Sequence, residues 1–230
     1  MGANEPTGMS TLSAKDLARC IDSACFAAEA TRQDIERICA EAREKFFHGV
    51  CVGSSRVALA YSLLEESGIQ VTALVGFPLG AADADAKRYE VEIAVDSGAH
   101  EIEYVMNLGR LKDGDQQYVL REMRDIVEAA DERSVHIVLE THLLTREEKV
   151  LACQLALDSG AQFVVTSTDY HVPPVTIEDV KLLRETVGAQ FGVKAAGGIR
   201  DTRAALAMIE AGATRIGTSS GSAIVHGIEM

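Results

Sequence analysis

Lys194 is the residue whose type and setting ask most for a chemical explanation. It stands in Gly192-Val-Lys-Ala-Ala196, inside an apolar run with the length of a strand. A lysine buried without a partner costs several kcal/mol or gives up its proton. A neutral amine is the nucleophile of Schiff-base chemistry, whereas a charged one is an acid or an electrostatic clamp. Glu103 is the second candidate. It lies in Glu101-Ile-Glu-Tyr-Val-Met-Asn107, where strand alternation puts Glu101, Glu103 and Val105 on one face. Facing inward, Glu103 is a base, while Glu101 belongs near the opposite end of the strand. Asp22, Cys51, Asn107, Glu140, His142 and the run Thr166 to His171, with Asp169 and His171 as acid–base groups and Thr168 as a binding group, stand where other apolar runs end.

Two glycine-rich turns add an anion-binding element. Ala195-Ala-Gly-Gly-Ile-Arg200 contains Gly197, Gly198 and Arg200. Gly217-Thr-Ser-Ser-Gly221 contains Gly217, Ser219 and Ser220. Glycine lets backbone N–H groups approach an anion, and a following helix start favours negative charge. The alternative is a pair of tight turns that bind nothing.

These residues need a scaffold, and the chain repeats one. Asp96-Ser-Gly-Ala, Asp158-Ser-Gly-Ala and Glu210-Ala-Gly-Ala each close a helical pattern and open a short apolar run. That is a helix with a C-terminal glycine feeding a strand, the unit of a parallel sheet. Thr31 with Asp34, Thr145 with Glu148, and Thr176 with Asp179 stand at capping-box spacing. Strands are expected near 19–23, 49–53, 70–76, 101–106, 135–140, 162–167, 192–196 and 214–218. Eight strands alternating with helices predict an α/β fold, a single (β/α)8 TIM barrel over 13–230 behind a flexible tail over 1–12. A doubly wound open sheet is the rival. In a barrel the active site lies at the carboxyl ends of the strands, and phosphate often sits after strands seven and eight.

The 230 residues carry a net charge of −13, which argues against nucleic acid or an anionic membrane as partner. No run is apolar enough to span a bilayer, and Met1 to Ser10 lacks the features of a signal peptide, so a cytoplasmic protein is expected. The five cysteines, an odd number without a C-x-x-C, are expected to be reduced and mostly buried. No metal-ligand spacing occurs. His136 begins a strand and is expected at the stability end, and His48, His100 and His226 are expected to be structural or exposed.

At these residues the chain resembles the deoxyribose-phosphate aldolase family. The likeness runs from Leu17 to Val225. Matching stretches include Ile21-Asp22, Gly76-Phe-Pro-Leu-Gly80, Leu143-Leu-Thr-Arg-Glu-Glu-Lys149, Gly192-Val-Lys-Ala195, Gly197-Gly-Ile-Arg200 and Ala211 through Gly221. The resemblance implies a (β/α)8 barrel, no metal or other cofactor, and a homo-oligomer, often a dimer. It also implies reversible aldol addition through a lysine imine, with the nucleophile on the sixth strand in a Phe-Val-Lys-Thr-Ser-Thr pattern. This chain reads Phe163-Val-Val-Thr-Ser-Thr168, so Val165 stands where the resemblance puts the lysine. The family's second lysine is kept as Lys194, and its strand-four aspartate is replaced by Glu103. The family's Asp-His-Thr-Leu-Leu-Lys reads Asp22-Ser-Ala-Cys-Phe-Ala27, and Asp169 stands where the family has glycine.

Three readings stay open. In the first, Lys194 and Glu103 are an acid–base pair doing aldol-type, enolisation or cyclisation chemistry on a small carbonyl substrate, phosphorylated or not, without an imine. Losing the neighbouring ammonium and keeping Glu103 both favour a charged Lys194. In the second, Lys194 is itself the imine lysine. In the third, the chain is a phosphate-ester binding protein without catalysis.

Overall fold

The computed structural model describes residues 12–229. Eight strands close into one parallel barrel in chain order, β1-β2-β3-β4-β5-β6-β7-β8, with β8 hydrogen-bonded back to β1. They are β1 (Ile21–Cys25), β2 (Gly49–Gly53), β3 (Gln70–Val75), β4 (Glu101–Val105), β5 (Ser134–Val138), β6 (Phe163–Val165), β7 (Gly192–Ala196) and β8 (Arg215–Thr218). The helices are α1 (Ala14–Ala18), α2 (Arg32–Lys45), α3 (Val57–Leu64), α4 (Ala84–Asp96), α5 (Leu108–Lys112), α6 (Gln116–Ala129), α7 (Arg146–Ser159), α8 (Ile177–Val187), α9 (Thr202–Glu210) and α10 (Gly221–Glu229). The expected tail over 1–12 lies outside the described residues except for Leu12. No described helix is long and apolar enough to cross a membrane.

The local signals act as the sequence predicts. Thr31 with Asp34 and Thr145 with Glu148 form reciprocal capping boxes at the starts of α2 and α7, and the Thr176 side chain accepts from the Asp179 N–H. The glycines of the three repeats, Gly98, Gly160 and Gly212, have φ of 95°, 88° and 113°. Only glycine holds that conformation at little cost, and it turns the chain from helix into strand.

Several strand ends differ from expectation by one or two residues, and for β1 and β6 the cause is visible. β1 begins two residues later because α1 and its closing turn use Arg19 and Cys20, whose N–H groups donate back to Lys15 and Leu17. β6 is three residues long. Beyond it, the hydroxyls of Thr166 and Ser167 both donate to the Ala196 carbonyl, at 2.6 and 2.8 Å, and bend the chain away from the ladder.

Alternation along each strand sends one set of side chains outward, against the helices, and the other into the barrel. Ile102, Tyr104, Ile137, Val164, Val193 and Ile216 belong to the large apolar core. Inside the barrel, Val105, Val138, Val165 and Ala196 form a separate small cluster capped by Phe77. Val165 is level with Lys194 across the β6–β7 ladder. The interior also holds charged side chains, whose burial requires partners.

Candidate active site

Lys194 is 1% exposed and its Nζ stands 2.7 Å from Glu103 Oε2, 2.8 Å from Asp22 Oδ2 and 3.3 Å from Cys51 Sγ. Four strands, β7, β4, β1 and β2, bring these groups together. The side chain therefore points into the barrel rather than outward against the helices. Gly217 on β8 lies against the stem, since a Cβ there would sit 2.9 Å from Lys194 Cε.

A second charged group lies beneath, toward the amino ends of the strands. Arg215 donates to Asp22 Oδ1 at 2.9 Å and to Glu101 Oε1 at 3.0 Å. Glu101 also accepts from Thr72 Oγ1 at 3.0 Å. His136 is fully buried, with Nε2 3.8 Å from Glu101 and Nδ1 3.9 Å from Glu103. His48 Nε2 reaches Glu101 at 3.5 Å from the half-exposed edge. Arg215 was not singled out in the sequence. His136 stands at the amino end of the barrel, as its place at a strand start predicts, and both it and His48 touch this network. His100 does have a structural bond, accepting from the Val71 N–H at 3.0 Å.

The electrostatics follow from burial opposed by charge. Burial pulls the Lys194 ammonium down, but the Asp22 and Glu103 carboxylates more than offset it, and the pKa lies well above the usual lysine value. Burial pushes Asp22 up, yet Lys194 and Arg215 hold it below the usual carboxylate range. For Glu103 burial wins over Lys194, and its pKa is raised. Burial also lowers His136 to about 4, so the ring is neutral at pH 7. The interior therefore sets three carboxylates, Asp22, Glu101 and Glu103, against two fixed cations, Lys194 and Arg215. The surplus negative charge makes Glu103 the group that most readily takes a proton. The Cys51 thiol is pushed up by burial and stays protonated.

Above Lys194 is a tight inner cavity walled by Ala24, Leu74, Ala196 and Gly217, with Ser167, Thr168 and Asp169 at its rim. Phe26 and Phe77, 5.1 Å apart, close it, and Tyr170 stands 6.3 and 6.0 Å from them on the outer side. A larger outer cavity of about 710 Å³ opens beyond, lined by Asp169, His171, Gly198, Arg200 and Ser219 among others. Gly198, Arg200 and Ser219 thus face the outer cavity and Gly217 the inner one, whereas Gly197 and Ser220 line neither. Thr168 is buried, its N–H donating to Glu140 Oε1 at 2.5 Å. Ser220 turns its N–H onto Thr218 Oγ1 at 2.9 Å.

Asn107 and His142 depart from their expected place. Neither lines these two cavities. Asn107 caps α5, its Oδ1 accepting from the Arg110 N–H at 3.1 Å, which is what a short amide side chain does at a helix start. His142 turns to Glu140, with Nδ1 3.2 Å from Oε2, and touches the site only through that carboxylate's bond to Thr168. The aromatic roof was missed in the sequence. Phe26, Phe77 and Tyr170 come from three separate loops, and no spacing links them. Among the described residues no three His, Cys, Asp or Glu side chains gather into a set that could hold a metal ion.

Comparison with known proteins gives one family. The model of the DeoC/LacD family aldolases matches residues 12–227. A deoxyribose-phosphate aldolase of Alkaliphilus oremlandii is 48% identical over 212 residues, covering 92% of this chain and 96% of that protein. A solved structure described as a putative deoxyribose-phosphate aldolase from Coccidioides immitis superimposes with a TM-score of 0.91 at 33% identity, covering 95% of this chain and 87% of that one. A deoxyribose phosphate aldolase from Aeropyrum pernix, described as a unique tetramer, superimposes with a TM-score of 0.88 at 28% identity, covering 97% and 99%.

Proposed function

The chain belongs to the DeoC/LacD family of aldolases, and we propose that it makes or breaks a carbon–carbon bond in a small carbonyl substrate without forming an imine on lysine. One observation carries this reading: the Lys194 ammonium is clamped 2.8 Å from Asp22 and 2.7 Å from Glu103. An amine must be unprotonated to attack a carbonyl, and two carboxylates hold this one in its charged form. The valine at 165 offers no second amine on the neighbouring strand.

A charged lysine suits a different step. In the cleavage direction Glu103, as carboxylate, takes the proton from the β-hydroxyl of the substrate. The carbon–carbon bond breaks, its electron pair passes to the carbonyl, and the new aldehyde leaves. The enolate oxygen that develops is stabilised by the Lys194 ammonium, in a setting where water is excluded and such charges act strongly. The enolate carbon is then protonated, by Glu103 returning the proton it took. Run backward, the same steps join the two fragments. Enolisation and intramolecular cyclisation pass through the same enolate and need no other group. Asp22 orients the ammonium and shares it with Glu103. The family relatives named deoxyribose-phosphate aldolase support carbon–carbon lyase chemistry on a carbonyl compound.

The complete burial of Lys194 favours a second reading, an imine formed on that lysine, because burial alone would discharge the amine. Borohydride treatment with acetaldehyde, followed by peptide mass analysis, separates the two. The imine-free mechanism is expected to leave Lys194 unmodified while Glu103→Gln abolishes turnover of aldol substrates. A reduced adduct on Lys194 overturns it. A protein that turns over neither deoxyribose 5-phosphate nor an unphosphorylated aldol would instead be a binding protein. The tetramer described for the Aeropyrum pernix protein supports a homo-oligomer here, which light scattering checks. Cytoplasmic location remains part of the same proposal and is checked by fractionation.

A further inference from the structure

The glycine turn after β7 is shaped to receive an anion, and an anion of the chain itself is already there. Gly197 and Gly198 have φ of 118° and 69°. The Gly198 N–H donates to Asp169 Oδ1 at 2.8 Å. Asp169 comes from the loop after β6 and holds a left-handed backbone, with φ of 58°. Its own N–H donates to Ser167 Oγ at 3.4 Å, and the next residue's N–H to Thr168 Oγ1 at 3.3 Å, so the carboxylate is aimed rather than free. In the turn after β8, the Ser220 N–H is engaged by Thr218 Oγ1. One backbone donor of each turn, the Gly198 N–H and the Ser220 N–H, is therefore in use within the chain.

The charges nearby give a phosphate little in return. Arg37 and Arg200 line the outer cavity, and Glu29 and Asp169 line it with them. The inner cavity sets Ala24, Phe26, Leu74, Phe77 and Ala196 around a Lys194 ammonium already paired with Glu103, with the Asp169 carboxylate also on its lining. These walls match an uncharged, largely apolar body better than a dianion.

We propose that Asp169 is a specificity-determining residue whose carboxylate fills the anion seat at Gly198, so that the site takes an unphosphorylated carbonyl compound and rejects phosphate monoesters. This substrate class rests on the reading of the cavity as a carbonyl-substrate site. A phosphate entering the turn must displace Asp169 from Gly198 and then sit beside its negative charge. Both steps oppose binding.

The test is calorimetric titration with inorganic phosphate at matched ionic strength, using the native protein, Asp169→Gly and Asp169→Asn. Glycine accepts the positive φ at 169 without cost, so the first variant should fold. The native protein is expected to show no saturable binding up to about 10 mM, and Asp169→Gly to bind on the order of 100-fold more tightly, the scale of a removed like-charge opposition. Asp169→Asn keeps the shape, loses the charge, and should also gain affinity. It decides the matter if the glycine variant does not fold. Native binding below about 1 mM, or no gain in any folded variant, overturns the proposal. The titration needs no turnover. A failure of the imine-free mechanism, seen as a borohydride adduct on Lys194, is therefore a separate result.

Discussion

Replacing Lys194 by methionine removes the cation and keeps nearly the same chain length, leaving Asp22 and Glu103 facing each other inside the barrel. At separations of 2.8 and 2.7 Å, each ion pair carries about 6 kcal/mol of attraction at an effective dielectric constant near 20. Most of that offsets the burial of the charges. What the substitution exposes is the uncompensated carboxylate, so the expected loss is about 3–5 kcal/mol at pH 7. For a chain of 230 residues this is a Tm lower by roughly 6–20 °C. The loss should depend on pH. Asp22 keeps Arg215, but Glu103 loses its cation, and its pKa, already raised by burial, is pushed further above its unfolded value, so the folded variant binds a proton that the unfolded chain does not. Stability of the variant then rises as pH falls. Between pH 7 and 5 its deficit relative to the native protein should shrink by about 2–3 kcal/mol, two units at 1.36 kcal/mol each. Urea denaturation at both pH values measures this directly. A deficit under about 1 kcal/mol that is the same at pH 7 and 5 would refute the argument, because it is what losing an uncharged amine would give.

Val165→Lys places an amine among Val105, Val138, Ala196 and Phe77, level with Lys194. The neighbouring ammonium should keep it partly unprotonated, so borohydride and acetaldehyde are expected to label position 165, and no label there would mean the cavity is no longer shaped for an imine. The lowered pKa of His136, about 4 against 6.5 unfolded, makes its neutral form part of the native state. Its contribution is full above pH 6.5 and is lost as pH falls toward 4, about 3 kcal/mol in all. His136→Gln should flatten the stability profile over that window, and an unchanged slope in urea titrations would assign it to other groups. Gly217→Ala puts a Cβ 2.9 Å from Lys194 Cε and 3.1 Å from Ala196 Cβ. Overpacking of about 1–3 kcal/mol and a displaced ammonium should lower kcat more than they raise KM, and native kinetics would show that the lysine has slack.

Much of the scaffold was legible because its signals are local. A glycine in the left-handed region after Asp96-Ser, Asp158-Ser and Glu210-Ala, and a threonine three residues before Asp34 or Glu148, act through neighbours along the chain. Period-two alternation likewise put Glu103 and Lys194 on strands, and eight such units imply closure. The places where expectation and structure part are those where a residue had two local uses. Asn107 follows a strand end, which suggests ligand binding, but it also precedes a helix, and the unpaired Arg110 N–H takes it. β1 starts late because the turn closing α1 claimed the two residues before it.

The sequence by itself determined that this chain is a barrel of βα units with a lysine in the seventh strand, a carboxylate in the fourth and a valine at 165. Only the tertiary structure decided what the lysine is. Its protonation depends on Asp22, Cys51 and Glu103, which stand 172, 143 and 91 residues away along the chain. Barrel closure brings them within 3.3 Å or less of one nitrogen. Charge and desolvation act through space over a few ångströms. Arg215 under Asp22, the three rings over the cavity and Asp169 on Gly198 follow the same rule: each is set by a partner from a different strand or loop, and no spacing in the sequence encodes the distance between them.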